Sequence, residues 1–332
     1  MTCLIDNFHR RISYLRISVT DHCDLRCIYC TAHQVPRLTH DDILRYEEIE
    51  RIARIAAGMG IENIRLTGGE PLMRPHVVTL VEMLKSIEGI KDISMTTNAT
   101  QLARYAVDLK AAGLDRVNIS LDSLKEERFT YMTGRGKLAY VLEGIEAARQ
   151  AGLEPVKINT VVLSGINDDE ILDFATRTVT DAWHVRFIEY MPFACDGTQS
   201  TVFSANQTVS DVQIRDIITR QFGELEPVMP GRGSGPAKYY RLKEANGTIG
   251  FIDAVSGCFC QLCNRMRLTA DGRLRPCLLE DDEIDIKTPI RNGVSDAELV
   301  SIMLAAVAMK RQKHRLGEQV LPASRQMWQI GG

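Results

Sequence analysis

Between about residue 12 and residue 222 the chain switches repeatedly between two hydrophobic periods. Short runs rich in β-branched residues alternate with longer stretches whose apolar residues recur every three or four positions, the patterns of strand and amphipathic helix. Strands are predicted at 14–19 (YLRISV), 63–67 (NIRLT), 92–97 (DISMTT), 116–121 (RVNISL), 156–163 (VKINTVVL) and 184–191 (HVRFIEYM). Between them, Ile49, Ile52, Ile55, Ala56 and Met59 mark a helix closed by Gly60, and Val77, Leu80, Val81 and Leu84 mark one that stops at Gly89. Leu102, Tyr105, Ala106 and Leu109 mark a third that ends at Gly113, and Val141, Leu142, Ile145 and Ala148 a fourth that ends at Gly152. Asn167 stands where it would cap a fifth, with Ile171 and Phe174 facing inward.

Six such βα repeats imply a parallel sheet with crossover helices. The expected fold is a partial (βα)6 barrel of the TIM type, with ligand-binding residues at the C-terminal ends of the strands. The polar and glycine-rich segments do fall there: CDLRCIYC, TGGEP, TTN, SLDS and EYMP. A doubly wound open sheet is the alternative. After Gly223 the pattern changes. Gly and Pro gather in 227–240, a predicted loop, and strand-like KYYRL, TIGFI and RMRLT follow, with Asp271-Gly272 marking a hairpin. Leu299, Ile302, Met303 and Val307 mark a last helix. Residues 1–222 thus read as the partial barrel and 223–332 as a smaller α+β region.

Composition narrows the function. Of 332 residues, 45% are hydrophobic and 25% charged, and the net charge of −3 gives no global pull toward nucleic acid or membrane. No apolar run approaches the ~20 residues that span a bilayer, and MTCLIDNFHRR is not a signal peptide, so a cytoplasmic location is expected. Nine cysteines in such a chain point away from disulfides and toward metal ligation or catalysis. Six fall into two groups: Cys23, Cys27 and Cys30 with spacing C-x3-C-x2-C, and Cys260, Cys263 and Cys277 with spacing C-x2-C-x13-C. Cys3, Cys195 and Cys258 are left over and read as buried free thiols, although Cys258 also extends the second group to C-x-C-x2-C.

Three soft thiolates in one loop suit zinc or an iron–sulfur cluster. Zinc would recruit a fourth side chain, and His22 or His33 could supply it. A three-cysteine [4Fe–4S] cluster would instead keep one iron open for a small ligand. In the second group Arg265, Arg267, Arg273 and Arg275 crowd one stretch, and strand alternation puts Arg265 and Arg267 on one face. Two guanidinium forks there make a site for a triphosphate.

C-x3-C-x2-C with Tyr29 before its last cysteine, followed by TGGEP after the second strand, resembles the radical S-adenosylmethionine superfamily. The resemblance implies that S-adenosylmethionine chelates the open iron and is cleaved there to a 5′-deoxyadenosyl radical. FCQLCNRMRLTADGRLRPCL (259–278), with LRISVTDHCDLRCIYC, NIRLTGGEPLMR, MTTNA, NISLDS, VKIN, VRFIEYMP and the terminal Gly-Gly, resembles the GTP 3′,8-cyclase family of molybdenum-cofactor biosynthesis over nearly the whole chain. It implies two [4Fe–4S] clusters, on Cys23, Cys27 and Cys30 and on Cys260, Cys263 and Cys277, with guanine on the open iron of the second.

Further roles are implied in the same way. Gly69, Ser120, Met191 and the backbone of Tyr29 match S-adenosylmethionine contacts. Arg16, Arg65, Thr96, Lys157, Arg265, Met266 and Arg267 match GTP contacts, and Arg186 joins the basic lining. Glu70 and Glu189 could line the site and receive no role. Gly331 and Gly332 are expected to enter the active site and pair with Arg16, Arg265 and Arg267. Implied partners are an electron donor of flavodoxin or ferredoxin type and the next pathway enzyme, cyclic pyranopterin monophosphate synthase; the family is often dimeric. The chain departs from the family at Thr31, where Met is usual, in the short loop after it, at Ala99, where Gly usually follows TTN, and at Cys258. Two rivals stay open: a peptide-maturing radical enzyme with an auxiliary cluster, and a binding module with two zinc sites.

Overall fold

The computed structural model describes residues 3–30, 37–194, 207–229, 235–318 and 320–331. Six strands alternate with helices through the first part: β1 (Tyr14–Ser18), β2 (Asn63–Thr67), β3 (Asp92–Thr97), β4 (Arg116–Ser120), β5 (Lys157–Val162) and β6 (His184–Glu189). The helices are α1 (Tyr46–Gly58), α2 (Val77–Lys85), α3 (Leu102–Ala111), α4 (Glu126–Thr133), α5 (Leu138–Gln150), α6 (Ile171–Thr180) and α7 (Asp211–Phe222). Then come β7 (Glu226–Val228), β8 (Lys238–Arg241), β9 (Thr248–Ile252), β10 (Arg265–Leu268), β11 (Arg273–Arg275), β12 (Ile284–Asp285), α8 (Lys287–Arg291) and α9 (Asp296–Ala308).

All the described strands join one sheet, in the order β12-β11-β10-β1-β2-β3-β4-β5-β6-β9-β8-β7. From β10 through β9 every neighbour is parallel. The sequential order β1 to β6 decides between the two expected folds. A doubly wound sheet reverses strand order in its middle. Right-handed crossovers without reversal put every helix on one face, which leaves the other face to curl inward as a partial barrel. The segment after β6 does not stand apart from this sheet. β9 extends it beyond β6, and β10 extends it beyond β1.

Alternation along each strand builds the two faces. Leu15, Ile17, Ile64, Leu66, Ile93, Met95, Val117, Ile119, Ile158, Val185, Phe187, Met266 and Leu268 face the helices in one hydrophobic core. The alternate positions carry polar residues: Arg16, Arg65, Ser94, Thr96, Asn118, Asn159, Arg186, Arg265 and Arg267. Phe187 knits the β6–β9 junction. Its ring lies 6.1 Å from that of Phe251, stacked, and 6.5 Å from that of Phe174, edge-on.

The six predicted strands, four marked helices, hairpin and last helix are all present, with ends shifted by up to a few residues. Gly272 at the hairpin has φ of 78°, as its turn needs. Other features differ, α7, α8 and β12 being further elements that the pattern did not mark. α4 was not foreseen, because its face carries only Phe129 and Met132 as large buried residues. β7 falls at the start of the predicted loop. Asn167 caps no helix with its side chain, because the amide is spent on loop groups. Its Nδ2 donates to the carbonyls of Asp122 (2.7 Å) and Val161 (2.9 Å), and its Oδ1 accepts from the N–H of Leu163 (2.8 Å).

Removing the ring at this junction gives a direct measure of the packing. Phe187→Ala should cost about 3–5 kcal/mol in urea unfolding. Tyr131→Ala, at a 62% exposed side chain, should stay within about 0.5 kcal/mol. Comparable losses from the two would show that the junction is not packed as described.

Candidate active site

The inward face lines a cavity of about 250 Å³, far beyond the roughly 10–15 Å³ one buried water needs. Residues from β1 to β6, β9 and β10 line it, together with Met327 and Trp328 near the chain end. Ten buried side-chain polar atoms lack a partner among the described residues. Six belong to the lining: Tyr14 Oη, Arg16 Nε, Thr96 Oγ1, Asn159 Oδ1, Arg186 Nε and Trp328 Nε1. Unsatisfied buried groups are costly, so their concentration here marks a site shaped for a polar ligand.

One end is the cysteine end. Cys23, Cys27 and Cys30 follow β1 and line the cavity together. Burial and mutual repulsion push the Cys27 thiol well up, and burial holds Cys23 and Cys30 at about 12. Three thiols that resist ionising as a bare group are the donor set that a cation completes. Hydrogen bonds to sulfur are in place. The N–H of Leu25 donates to Cys23 Sγ at 3.4 Å, and the N–H of Trp328 points at the Cys30 sulfur.

The loop is held from three sides. The N–H groups of Gly69 and Glu70 donate to the carbonyls of Thr20 and His22, each at 2.7 Å. A Cβ on Gly69 would lie 2.4 Å from the His22 oxygen, and one on Gly68 would lie 2.6 Å from that of Thr20. The glycine pair is therefore the condition for this close approach. From the second side, Asp24 accepts from Asn98 Nδ2 (2.7 Å) and Thr100 Oγ1 (2.6 Å). From the third, α4 takes the N–H groups of Arg26 and Ile28 on the carbonyls of Thr133 and Met132.

Two buried carboxylates flank this end. Glu70 accepts from Thr97 Oγ1, the N–H of Asn98 and the N–H of Leu72, and its burial outweighs them, raising it to about 7. Asp122 accepts from the Tyr29 hydroxyl at 2.6 Å and from Val161 N–H, and burial raises it to about 6. Each carboxylate locks a loop, so each has a structural task beside any contact with a ligand.

The other end is basic. Arg16, Arg65, Arg186, Arg265 and Arg267 line it. Burial, and then the neighbouring guanidinium groups, holds Arg16, Arg65 and Arg267 below the ordinary arginine range. Few anions balance them. Arg186 donates to Asn118 Oδ1, Arg65 lies over the Tyr14 ring at 5.5 Å and Arg265 over Phe259 at 4.7 Å. The C-terminal segment supplies the remaining acceptor. Gly331 O accepts from Arg16 Nη2 at 3.0 Å and from Arg267 Nη1 at 2.9 Å. Gly331 has φ of 66°, and a Cβ there would lie 2.1 Å from Thr67 Oγ1, so glycine is required by conformation and by space alike.

Register explains why the second half contributes. β10 pairs with β1 so that Arg267 stands opposite Arg16, and Arg265 opposite Tyr14. The second cysteine group sits on the loops around this strand. Phe259 and Leu278, next to Cys260 and Cys277, line the cavity, while the three cysteines themselves are half-buried and do not. N–H donors again meet sulfur: Leu279 to Cys277 at 3.4 Å, Arg265 to Cys263 and His314 to Cys260. Burial pushes the Cys263 thiol up, but Arg265 and Lys310 outweigh it and hold it at about 6.

Of the residues singled out in the sequence, Cys23, Cys27, Cys30, Arg16, Arg65, Thr96, Arg186, Arg265, Arg267, Tyr29, Gly69, Ser120 and Met191 all line this one cavity. Gly331 reaches it through its carbonyl. Gly332, Thr31, His33 and Cys195 lie outside the described residues. Two of the assigned residues do not line the cavity with their side chains. The Met266 side chain faces the core, because it lies between the two inward arginines of β10. Lys157 lies one position below the lining, opposite Asn118, with its ammonium 5.4 Å from the Tyr239 ring. Cys3, expected to be buried, is exposed, and Arg273 and Arg275 pair with Asp285 and Glu283 away from the cavity. Ala99, where glycine is usual, keeps the left-handed backbone with φ of 61°. Sequence reading missed the Met327–Trp328 wall and the lining role of Tyr14, whose polar ends are visible only once the strands are aligned.

Residues 17–177 match the Radical SAM superfamily, and residues 183–316 match Molybdenum Cofactor Synthesis C. The chain is 50% identical to a GTP 3′,8-cyclase of Moorella thermoacetica, over 98% of this chain and 99% of that one. It is also 50% identical to a GTP 3′,8-cyclase of Heliobacterium modesticaldum, over 99% and 100%. Among solved structures, Streptococcus suis SuiB bound to precursor peptide SuiA aligns with a TM-score of 0.60 at 16% identity, covering 82% of this chain and 61% of that one. That likeness shows the fold.

A titration tests the desolvated basic face. Burial, then Arg186, Arg116 and Arg65, push the Lys157 ammonium down to about 7. The native chain then releases near pH 7 a proton that the unfolded chain keeps until about pH 10.4. Over that window the unfolded state binds more protons, so this group makes stability rise with pH. Lys157→Met should remove the rise, by on the order of a few kcal/mol between pH 7 and 10. Parallel stability–pH curves for the two proteins would show that Lys157 is not so desolvated.

Proposed function

The chain belongs to the GTP 3′,8-cyclase family of radical S-adenosylmethionine proteins, and from that premise we propose that it converts GTP to (8S)-3′,8-cyclo-7,8-dihydroguanosine 5′-triphosphate, the first step of molybdenum-cofactor biosynthesis. One observation carries the reading: a single cavity has three thiols at one end and five guanidinium groups at the other.

Each end has its task. Cys23, Cys27 and Cys30 hold the [4Fe–4S] cluster, and Tyr29, Gly69, Ser120 and Met191 bind S-adenosylmethionine beside it. When bound, that pair supplies the hydrogen-abstracting radical chemistry. Arg16, Arg65, Arg186, Arg265 and Arg267 bind the triphosphate, and their uncompensated charge favours an anion of this size. Thr96 offers a hydroxyl without a partner to the nucleotide. Lys157 adds positive charge from below the lining. The buried walls exclude water, which would quench a reactive intermediate.

Cys260, Cys263 and Cys277 hold a second [4Fe–4S] cluster, supported by N–H donors to all three sulfurs. Gly331 orients Arg16 and Arg267 through its carbonyl. An electron donor of flavodoxin or ferredoxin type and a cyclic pyranopterin monophosphate synthase complete the pathway step, in the cytoplasm. No helix among the described residues is long and apolar enough to cross a membrane.

Anaerobic protein incubated with S-adenosylmethionine, a reductant and GTP should give the cyclised triphosphate. Stoichiometric zinc at either cysteine group would sink the proposal. The arginines give a graded test. Arg265→Ala or Arg267→Ala should each lose about 1.5–3 kcal/mol of GTP binding, roughly 10- to 150-fold, with lysine rescuing only in part. Unchanged affinity in the double alanine variant, by calorimetry, would remove the triphosphate from this face.

A further inference from the structure

The loop of the second cysteine group carries one thiol more than the proposed function uses. Cys258 is half-buried. Its Sγ, the Sγ of Cys260 and a ring nitrogen of His314 all lie within 4.8 Å of one another. The Cys258 and Cys260 thiols are hydrogen-bonded to each other.

The approach to Cys258 is a built one. The N–H groups of Val255 and Ser256 donate to Glu189 Oε2 at 2.7 and 2.9 Å, and that of Gly257 to the Asp253 carbonyl at 3.2 Å. A Cβ on Gly257 would fall 1.7 Å from Asp253 Oδ2. The backbone thus passes the carboxylate closer than any side chain allows, and it delivers Cys258 beside Cys260. This also gives Glu189 its task.

Of the two extra donors, His314 is already engaged. Its Nε2 faces the Ala254 carbonyl at 2.9 Å, and its Nδ1 faces the N–H of Leu316 at 3.4 Å. A ring held at both nitrogens would have to break a buried hydrogen bond to bind metal. Cys258 gives up only a weak thiol–thiol contact.

We propose that Cys258 is a fourth, displaceable thiolate ligand of the cluster at Cys260, Cys263 and Cys277, closing the iron those three leave open until the purine takes its place. The inference rests on the proposal that a cluster binds there. On exchange the iron–thiolate bond breaks, a nitrogen or oxygen of the purine takes the vacated position, and the Cys258 thiolate leaves and takes up a proton from water. No electron changes hands.

The test uses the ease with which a four-iron cluster loses an iron that lacks a thiolate. The full chain carrying Cys23→Ala, Cys27→Ala and Cys30→Ala is loaded with iron and sulfide anaerobically, which should give about four irons per chain. It is then oxidised mildly with ferricyanide without GTP, and the [3Fe–4S] signal is read by electron paramagnetic resonance. With Cys258 present the signal should be several-fold weaker than with Cys258→Ala added, and Cys258→Ser should fall between. Equal signals in all three would overturn the role of Cys258 while leaving the second cluster standing. Failure to load iron in any of them would overturn the cluster proposal and this inference together. If the triple-alanine background does not fold, the same comparison is made on the otherwise unaltered chain with S-adenosylmethionine bound, which occupies the open iron of the first cluster.

Discussion

Five guanidinium groups facing one another across a buried cavity are the arrangement on which the rest of this molecule turns. The interior of a complete TIM barrel is packed with branched apolar side chains. Here inward positions of β1, β2, β6 and β10 carry arginines, and burial, with like-charge repulsion, holds Arg16, Arg65, Arg186 and Arg267 below their ordinary ionisation range. Such a face cannot stabilise the fold. The stabilising burial must come from the other face, where the alternate residues of the same strands pack against the helices. The sheet is thus divided by alternation into a face that holds the protein together and a face kept for an anion.

That division makes strand register decisive. Arg16 and Arg267 are far apart in the chain and meet only because β10 runs parallel to β1 with those two residues opposite. A slip of one residue would put Met266 and Leu268 into the cavity and both arginines into the core. Burying two unpaired charges there would cost far more than the sheet could return. The arginines therefore help to specify the pairing that makes them useful.

Much of this was legible in the sequence, because strand alternation and the polar signals at strand ends are local properties. NIRLT and DISMTT match β2 and β3 residue for residue, and the inward residues follow from alternation. What could not be read was set by tertiary contacts. α4 has a weak apolar face and earns its helix by bracing the cysteine loop. Asn167 looked like a cap, but three loop groups compete for its amide and win. Lys157 belongs to the inward face, yet only the stagger of β4, β5 and β6 shows that it lies below the cavity. Met266 came from resemblance, and simple alternation would have argued against a side-chain contact.

The chain end shows how a weak local signal becomes a strong structural one. Two glycines at a terminus are ordinarily the least ordered residues of a protein. Here a network upstream fixes the approach. Arg325 pairs with Asp271 and Glu283, and Gln326 Nε2 donates to the Ala194 carbonyl. Trp328 and Ile330 are then buried, and the cost of ordering Gly331 is met by two arginine donors. Its carbonyl is a neutral acceptor, so it orients the guanidinium groups without cancelling their charge. A carboxylate side chain in the same place would have neutralised the site it was meant to prepare. A backbone oxygen presented by a residue with no Cβ is the form of contact that can hold Arg16 and Arg267 in position and still leave their charge for the ligand.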